Sequence, residues 1–159
     1  MIKKESVKDR VNRVKRLMRE LRVEGEIICH PVSGRTTGGA EKALGVSREK
    51  ILKCLLFKSG DRFVAAIVTG ERRVDVRKLE KVSGLRKLRF ARAEEVKQFT
   101  GFDVGGVPPF VFYNLCPVFV DTNVMEKEFM VGAAGTEYAG VKFSPKELEK
   151  IGYFVNYIT

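Results

Sequence analysis

A single lysine interrupts an apolar run in the first half of this 159-residue chain. Residues 51–57 read Ile-Leu-Lys-Cys-Leu-Leu-Phe, and such a short, almost continuously apolar segment is typical of a strand covered on both faces. Because side chains alternate along a strand, Lys53 shares a face with Ile51, Leu55 and Phe57. Its ammonium must therefore reach water, meet an anion or titrate at a lowered pKa. Lys53 is therefore a candidate functional residue; the alternative is a stem packed on the core with its charge in solvent.

The second candidate for chemistry is the loop 105–110, Gly-Gly-Val-Pro-Pro-Phe. The prolines fix φ and remove two amide donors, whereas the glycines permit positive φ and leave N–H groups that a ligand can approach. A rigid loop with exposed amides suits an oxygen-bearing ligand, although an ordinary turn between a helix and a strand is the alternative. The sequence predicts that Gly105, Gly106, Val107, Pro108 and Pro109 form the wall of a ligand site.

Histidine and cysteine are too few and too scattered for the usual metal or nucleophile motifs. His30 is the only histidine, and Cys29, Cys54 and Cys116 are far apart, each in an apolar run. This pattern supports neither a zinc site nor a disulfide framework, so we predict no metal and no cofactor. The cysteines are expected to be buried free thiols in a reducing cytosol, and His30 a packed or loop residue rather than a catalytic one.

The charge balance is strongly basic. Thirty Lys and Arg residues against twenty Asp and Glu give a formal charge of +10 and a pI near 9.7. This favours a polyanionic partner, with nucleic acid as the leading candidate, although a basic surface that only maintains solubility is the alternative. Arg72, Arg73, Arg77 and Lys78 open a dense basic region that extends to Arg92. No apolar run approaches the roughly 20 residues of a membrane span, and no apolar signal segment follows Lys3 and Lys4, so a cytoplasmic protein without membrane contact is expected.

Periodicity and cap residues predict the elements that position these groups within one compact domain. Residues 1–25 are expected to form a basic amphipathic helix, whose charged face is either solvated or in contact with phosphates. Residues 26–159 are expected to form the rest of the domain. Further helices are predicted over 40–44, 76–83 and 93–100, and from the capping box at Ser144 to Gly152. Strands are predicted over 26–30, 51–57, 63–68, 88–91, 117–121, 128–133 and 141–143, with the tail 153–158 docked as a strand or extended segment.

Several short motifs occur in one order: Ala-Leu-Gly-Val at 43–46, the strand with Lys53, Arg-Val-Asp at 73–75, Thr-Gly at 100–101, the loop 105–110 and the strand 117–121. Their order and spacing resemble the YbaK/prolyl-tRNA-synthetase-associated family, whose free-standing and inserted domains hydrolyse mischarged aminoacyl-tRNA. The resemblance covers roughly 27–151. It implies an α+β fold in which a mixed, curved sheet surrounds a substrate pocket and helices pack outside.

The resemblance also implies a site and a reaction. Lys53 would be catalytic and the loop 105–109 would bind substrate, and Thr37, Asp121 and Gly132 are further candidates for substrate binding. Arg72, Arg73, Arg77 and Lys78 would then bind tRNA. The implied reaction is hydrolysis in trans of the ester in mischarged tRNA, such as alanyl- or cysteinyl-tRNA for proline, without a metal or a covalent intermediate, and with an aminoacyl-tRNA synthetase as a candidate partner.

One departure from the family pattern leaves open which amino acid is removed from the tRNA. Gly140 stands where family members often carry a polar Asp or His, and Glu137 and Tyr138 are the alternatives for that role. Two other functions compete with the deacylase: a non-catalytic RNA-binding module of the same fold, and a hydrolase of small aminoacyl esters.

Overall fold

The computed structural model describes residues 5–159, so residues 1–4 of the predicted segment 1–25, including Lys3 and Lys4, lie outside it. The α-helices are α1 (Val7–Leu21), α2 (Thr37–Leu44), α3 (Val76–Ser83), α4 (Ala93–Thr100), α5 (Thr122–Met125) and α6 (Lys146–Lys150). The strands are β1 (Glu26–Cys29), β2 (Leu52–Ser59), β3 (Arg62–Thr69), β4 (Arg89–Phe90), β5 (Val118–Asp121), β6 (Met130–Ala133), β7 (Ala139–Phe143) and β8 (Phe154–Asn156). Helices of the described chain are all too short or too polar to cross a bilayer.

The predicted α+β class is confirmed, and the strands divide into two sheets. The larger sheet has the order β4-β2-β3-β5-β8, in which β2 is antiparallel to β3 and β4, whereas β5 is parallel to β3 and β8. The smaller sheet is antiparallel, with the order β1-β7-β6. An isolated parallel bridge from Ile51 to Val131 connects the start of β2 to β6 and brings the two sheets together.

Helix α1 packs into the main core. Val11, Val14 and Met18 are buried in the same apolar cluster as residues of both sheets. Part of its basic face is also structural, because the Arg13 guanidinium lies 4.0 Å from the centre of the Phe102 ring and donates to the Gly101 carbonyl at 2.8 Å. On the face predicted to be solvated or to contact phosphate, Arg13 is therefore half-buried and held against the fold.

Two helix starts differ from the predicted ones, one with a side-chain cap and one without. Helix α2 begins at Thr37, three residues earlier than predicted, because the Thr36 hydroxyl accepts a hydrogen bond from the Gly39 amide at 3.0 Å. Helix α6 begins at Lys146, and the predicted capping box does not form: the Glu147 carboxylate accepts from Lys150 at 3.0 Å instead. The C-terminal tail is a strand, as one of the two predicted alternatives had it.

Two backbone segments cross at Gly106 and Gly135 without space for a side chain. The Gly135 amide donates to the Gly106 carbonyl at 2.8 Å, and a Cβ on Gly106 would lie 2.8 Å from the Gly135 oxygen. A Cβ on Gly135, whose φ is +96°, would lie 2.8 Å from the Arg10 carbonyl of α1. The glycine-proline loop, the β6–β7 connection and α1 are therefore stacked backbone to backbone.

We expect Gly106→Ala to lower the free energy of unfolding by about 1 to 3 kcal/mol, because the new methyl group meets backbone that cannot move aside. Gly38→Ala is the matched control, since a Cβ there meets nothing within 4 Å and Gly38 lies in α2. Its stability should be unchanged or slightly higher. Chemical denaturation of the two variants measures the difference, and equal midpoints would contradict the tight crossing.

Candidate active site

A cavity of about 410 Å³ lies against the edge of β2 that β3 does not cover. On this edge β4 pairs only with Phe57 and Lys58, and the Leu56 carbonyl accepts from the Ala91 amide at 2.9 Å. Because backbone groups alternate in direction along a strand, the amide and carbonyl of Cys54 point to the same edge as the Leu56 carbonyl. The cavity therefore has a strand edge as one wall.

Five of the residues predicted to form the site line this cavity although they come from separate segments. They are Lys53 on β2, Thr37 at the start of α2, Gly132 on β6, and Gly105 and Val107 in the glycine-proline loop. Gly106, Pro108 and Pro109 are buried and do not line it.

Pro109 forms the support behind the cavity wall. A Cβ on Gly132 would lie 3.1 Å from the Pro109 Cδ, so glycine is what allows the strand and the loop to pack this closely. The Pro109 carbonyl accepts a hydrogen bond from the buried Tyr153 hydroxyl at 2.8 Å. The loop is thus fixed from two sides.

The amides of the loop differ from one another. The Gly106 amide donates to the Asp103 carbonyl at 2.9 Å, so it is not one of the exposed donors expected from the sequence. The amides of Gly105 and Val107 have no acceptor among residues 5–159, and both residues line the cavity. Two unpaired N–H groups at an apolar cavity can bind a partly negative oxygen.

Lys53 is a cation without a carboxylate partner in the described chain. Its Nζ donates to the Arg72 carbonyl at 2.5 Å, and burial followed by the nearby Arg73 charge lowers the Lys53 pKa below its usual 10.5. Lys53 and Arg73 therefore form a positive region that an anionic group of a ligand would stabilise.

Asp121 lies outside the cavity, in the core of the larger sheet. Its carboxylate is fully buried and accepts from the Ile158 amide at 3.0 Å and from the Thr159 hydroxyl at 3.2 Å. Asn123 donates to the same carboxylate at 2.7 Å. These contacts anchor the C-terminal segment and leave Asp121 no direct access to a ligand in the cavity.

The predicted tRNA-binding residues also lie outside the cavity, and they differ in their surroundings. Lys78 donates to the Thr159 carbonyl at 2.8 Å and lies 3.9 Å from the centre of the Tyr157 ring, so part of its role is to hold the C-terminal segment. Arg73 and Arg77 are exposed, whereas Arg72 is half-buried. Arg72 and Arg73 are neighbours of Lys53, the first through its carbonyl and the second through its charge.

Among the lining residues that the sequence did not assign to a ligand are His30, Arg35 and Phe90. The His30 Nδ1 is 2.6 Å from the Val32 carbonyl, a contact within its own loop. Arg35 packs its side chain over Gly105, where a Cβ would lie 3.0 Å from the Arg35 Cγ. Nothing in the local sequence distinguishes these positions, because their access to the cavity depends on how the loop and the strand edges assemble.

The cysteines are all free, but only two are partly buried. Cys29 is exposed, so the expectation that all three are buried is wrong for this residue. Cys54 lines the cavity, and burial raises the pKa of its thiol to about 12. It is therefore protonated at neutral pH and a poor nucleophile. Within residues 5–159, no three His, Cys, Asp or Glu side chains cluster as metal ligands.

The position that departs from the family pattern also faces the cavity. Gly140 lines it, and a Cβ there would lie 3.1 Å from Val131 Cγ1 and 3.3 Å from Leu44 Cδ2. Of the two alternative polar residues, Glu137 lines the cavity, whereas Tyr138 is 39% exposed and does not.

Residues 32–151 match the model of the aminoacyl-tRNA editing domain, and this range includes Lys53 and the cavity lining except His30. The chain belongs to this family. It is 28% identical over 131 residues to the uncharacterized protein YwhH of Bacillus subtilis, covering 82% of this chain and 83% of that protein. It is also 35% identical over 96 residues to a proline–tRNA ligase of Caldicellulosiruptor bescii, covering 60% of this chain but only 16% of the ligase.

Comparison with solved structures supports the same family assignment. A crystal structure described as "a putative trans-editing enzyme for prolyl tRNA synthetase" superimposes with a TM-score of 0.86 at 28% identity, covering 97% of this chain and 99% of that one. The hypothetical protein APE2540 gives a TM-score of 0.83 at 28% identity, covering 91% and 97%. The editing domain described here therefore shares its fold with both structures over almost their whole length.

We expect Asp121→Ala to lower the free energy of unfolding by about 1 to 3 kcal/mol, because the Ile158 amide would lose its acceptor in the core. Activity per folded molecule should stay within about 2-fold, because the carboxylate does not reach the cavity. Asp61→Ala, at an exposed turn, is the control for a lost carboxylate. A stable Asp121→Ala protein with strongly reduced turnover would contradict this structural role and would support substrate binding by Asp121.

Proposed function

We propose that this editing domain is a cytoplasmic deacylase that hydrolyses mischarged aminoacyl-tRNA in trans, with alanine or cysteine on proline tRNA as candidate substrates. The observation that carries the proposal is the juxtaposition of Lys53, a cation without an acidic partner in the described chain, with the unpaired amides of Gly105 and Val107 at one cavity.

The proposed reaction is the attack of water on the ester that joins the amino acid to the terminal ribose. The water oxygen bonds to the carbonyl carbon, the bond from that carbon to the ribose oxygen breaks, and a proton goes to the ribose oxygen. As the carbonyl oxygen gains negative charge, the amides of Gly105 and Val107 stabilise it. Lys53 holds the adjacent phosphate or the carbonyl, and the neighbouring ribose hydroxyl helps to position the water.

This mechanism needs neither a protein nucleophile nor a metal. An ester is already activated, so positioned water and preorganised donors supply what the reaction requires. The thiol that lines the cavity, Cys54, has its pKa raised to about 12 and stays protonated. One histidine and three separated cysteines do not provide the ligand spacing of a catalytic zinc site.

The walls of the cavity do not select one amino acid by size. Gly132 and Gly140 face it without side chains, and the Pro109 ring and Val131 pack directly behind them. Discrimination by one methylene is worth only about 1 to 3 kcal/mol in such a pocket, so shape alone separates close analogues weakly. The proline–tRNA ligases among its relatives make proline tRNA the first substrate to test.

We expect Lys53→Ala to reduce deacylation by about 100-fold or more, because it removes one preorganised electrostatic contact. Lys53→Arg should also be poorly active, since a broad planar guanidinium replaces a compact ammonium. The thermal midpoint of Lys53→Ala should be unchanged or raised, because a partly buried charge is removed. A panel of aminoacyl-tRNAs, scored for release of the amino acid, measures the activity.

The controls separate catalysis from binding. Lys53→Ala should bind uncharged tRNA with nearly the affinity of the unmodified protein. A non-catalytic RNA-binding module would instead lose affinity on this substitution, and neither the unmodified protein nor Lys53→Ala would hydrolyse the ester. Near-normal turnover by a folded Lys53→Ala protein would remove Lys53 from the mechanism.

The alkaline limb of the pH–rate profile should depend on Arg73. The Arg73 charge helps to lower the Lys53 pKa, so the ammonium loses its proton at a lower pH than an ordinary lysine. If catalysis needs the charged Lys53 ammonium, activity falls as pH rises through the Lys53 pKa. Arg73→Gln should raise this pKa and so move the loss of activity to higher pH. An aminoacyl-adenosine substrate, corrected for spontaneous hydrolysis, reports kcat/KM without tRNA contacts. Arg77→Gln is the control, and a limb that stays in place in Arg73→Gln would contradict the assignment.

A further inference from the structure

Phe90 is the most exposed large hydrophobic side chain of residues 5–159, with 59% of its surface accessible. It lies on the two-residue strand β4 and pairs directly with Phe57 of β2. The two ring centres are 4.5 Å apart with 32° between the planes, and Phe57 is fully buried. One side of the Phe90 ring is therefore fixed by the core, while the ring remains largely accessible.

The position of this ring relates it to the active site. Phe90 lines the cavity, and its contact with Phe57 places it on the face of β2 that also carries Lys53 and Leu55. Four residues of strand, about 13 Å, separate Lys53 from Phe57. A ligand that reaches both the Lys53 region and Phe90 must lie along the open edge of β2.

The charge around Phe90 favours an anionic ligand. The segment 86–92 carries Arg86, Lys87, Arg89 and Arg92, all of them exposed. The nearby carboxylates are already paired, Glu95 with Arg89 and Lys58, and Glu94 with Arg92. Arg86 and Lys87 have no carboxylate partner among the described residues.

We propose that Phe90 is the platform on which the terminal nucleobase of the tRNA stacks, an inference that rests on the proposed deacylase function. Nucleic acid combines a flat π-surface with negative charge, and an exposed aromatic ring within a basic surface matches both. Stacking at Phe90 would hold the terminal adenosine along β2 and direct its ester towards Gly105 and Val107. Phe90 would thus act as a binding residue for the nucleotide part of the substrate.

The chain contains no tryptophan, so the F90W variant carries a unique fluorescent probe at this position. The matched control is F154W: Phe154 is 56% exposed, lies on β8 at the opposite edge of the same sheet and has its ring 5.4 Å from that of Phe119. At low salt, adenosine 5′-monophosphate and the trinucleotide CCA should quench F90W strongly and F154W little. Ribose 5-phosphate, which lacks the base, should quench neither. Equal quenching of the two variants, or none in F90W, would overturn the proposal.

A second measurement uses the ester and keeps the natural fold. Phe90→Leu should lower kcat/KM for alanyl-adenosine by between about 5-fold and 150-fold, the range for loss of one stacked base, whereas Phe90→Tyr should retain it. Alanine ethyl ester, which has no base, is the reference substrate, and Phe90→Leu should lower its hydrolysis by much less than that of alanyl-adenosine. An equal loss on both esters would mean that Phe90 acts on the fold or on the cavity, and would also overturn the proposal.

The two proposals fail in different ways. If the unmodified protein hydrolyses no aminoacyl ester, the deacylase function fails, while the fluorescence comparison still decides whether a base stacks on Phe90. If Phe90 instead packs against a second copy of the chain, sedimentation should show a dimer that Phe90→Leu dissociates. That result would contradict the stacking of a nucleobase on Phe90.

Discussion

The crossing of Gly106 and Gly135 is the constraint on which the rest of the active site depends. Their hydrogen bond of 2.8 Å joins the glycine-proline loop to the β6–β7 connection, and the Arg10 carbonyl of α1 closes over Gly135. With no Cβ on either side, the backbones approach more closely than any other residue would permit. The loop is thereby fixed against the smaller sheet while Gly105 and Val107 remain at the cavity.

The electrostatics of the site follow from the lack of a carboxylate partner for Lys53 among residues 5–159. The other partly buried cation on β2, Lys58, has a buried carboxylate partner in Glu95 at 2.9 Å, whereas Lys53 has only the Arg72 carbonyl and a neighbouring arginine. A charge in this position costs free energy in the unliganded protein, and an anionic substrate would recover it on binding. One strand thus carries a lysine that the fold satisfies and another that it leaves for a ligand.

The basic character of the chain serves more than one purpose. Arg13 and Lys78 are held by rings and carbonyls of the fold, whereas Arg73, Arg77, Arg86 and Lys87 are exposed. A formal charge of +10 therefore overstates the surface available to a polyanion. Arg73 acts on Lys53 through its charge, and Arg86 and Lys87 belong to the same segment as Phe90. Lys53 and Phe90 both line the cavity, which is where the 3′ end of a tRNA would have to enter if the proposed function holds.

The sequence by itself determined the apolar strand that carries Lys53 and the helices α3 and α4, because alternation, caps and glycine stops act over a few residues. The α+β class was what the family resemblance implied. The sequence also pointed to the glycine-proline loop, whose residue types restrict the backbone directly. Only the tertiary structure decided that Asp121 anchors the C-terminal segment, that the Gly106 amide is occupied and that Phe90 faces the cavity. Those outcomes depend on which strands become neighbours: β8 pairs in parallel with β5 beside Asp121, and β4 covers only the end of β2. Such pairings join residues far apart in the chain, so no local pattern encodes them.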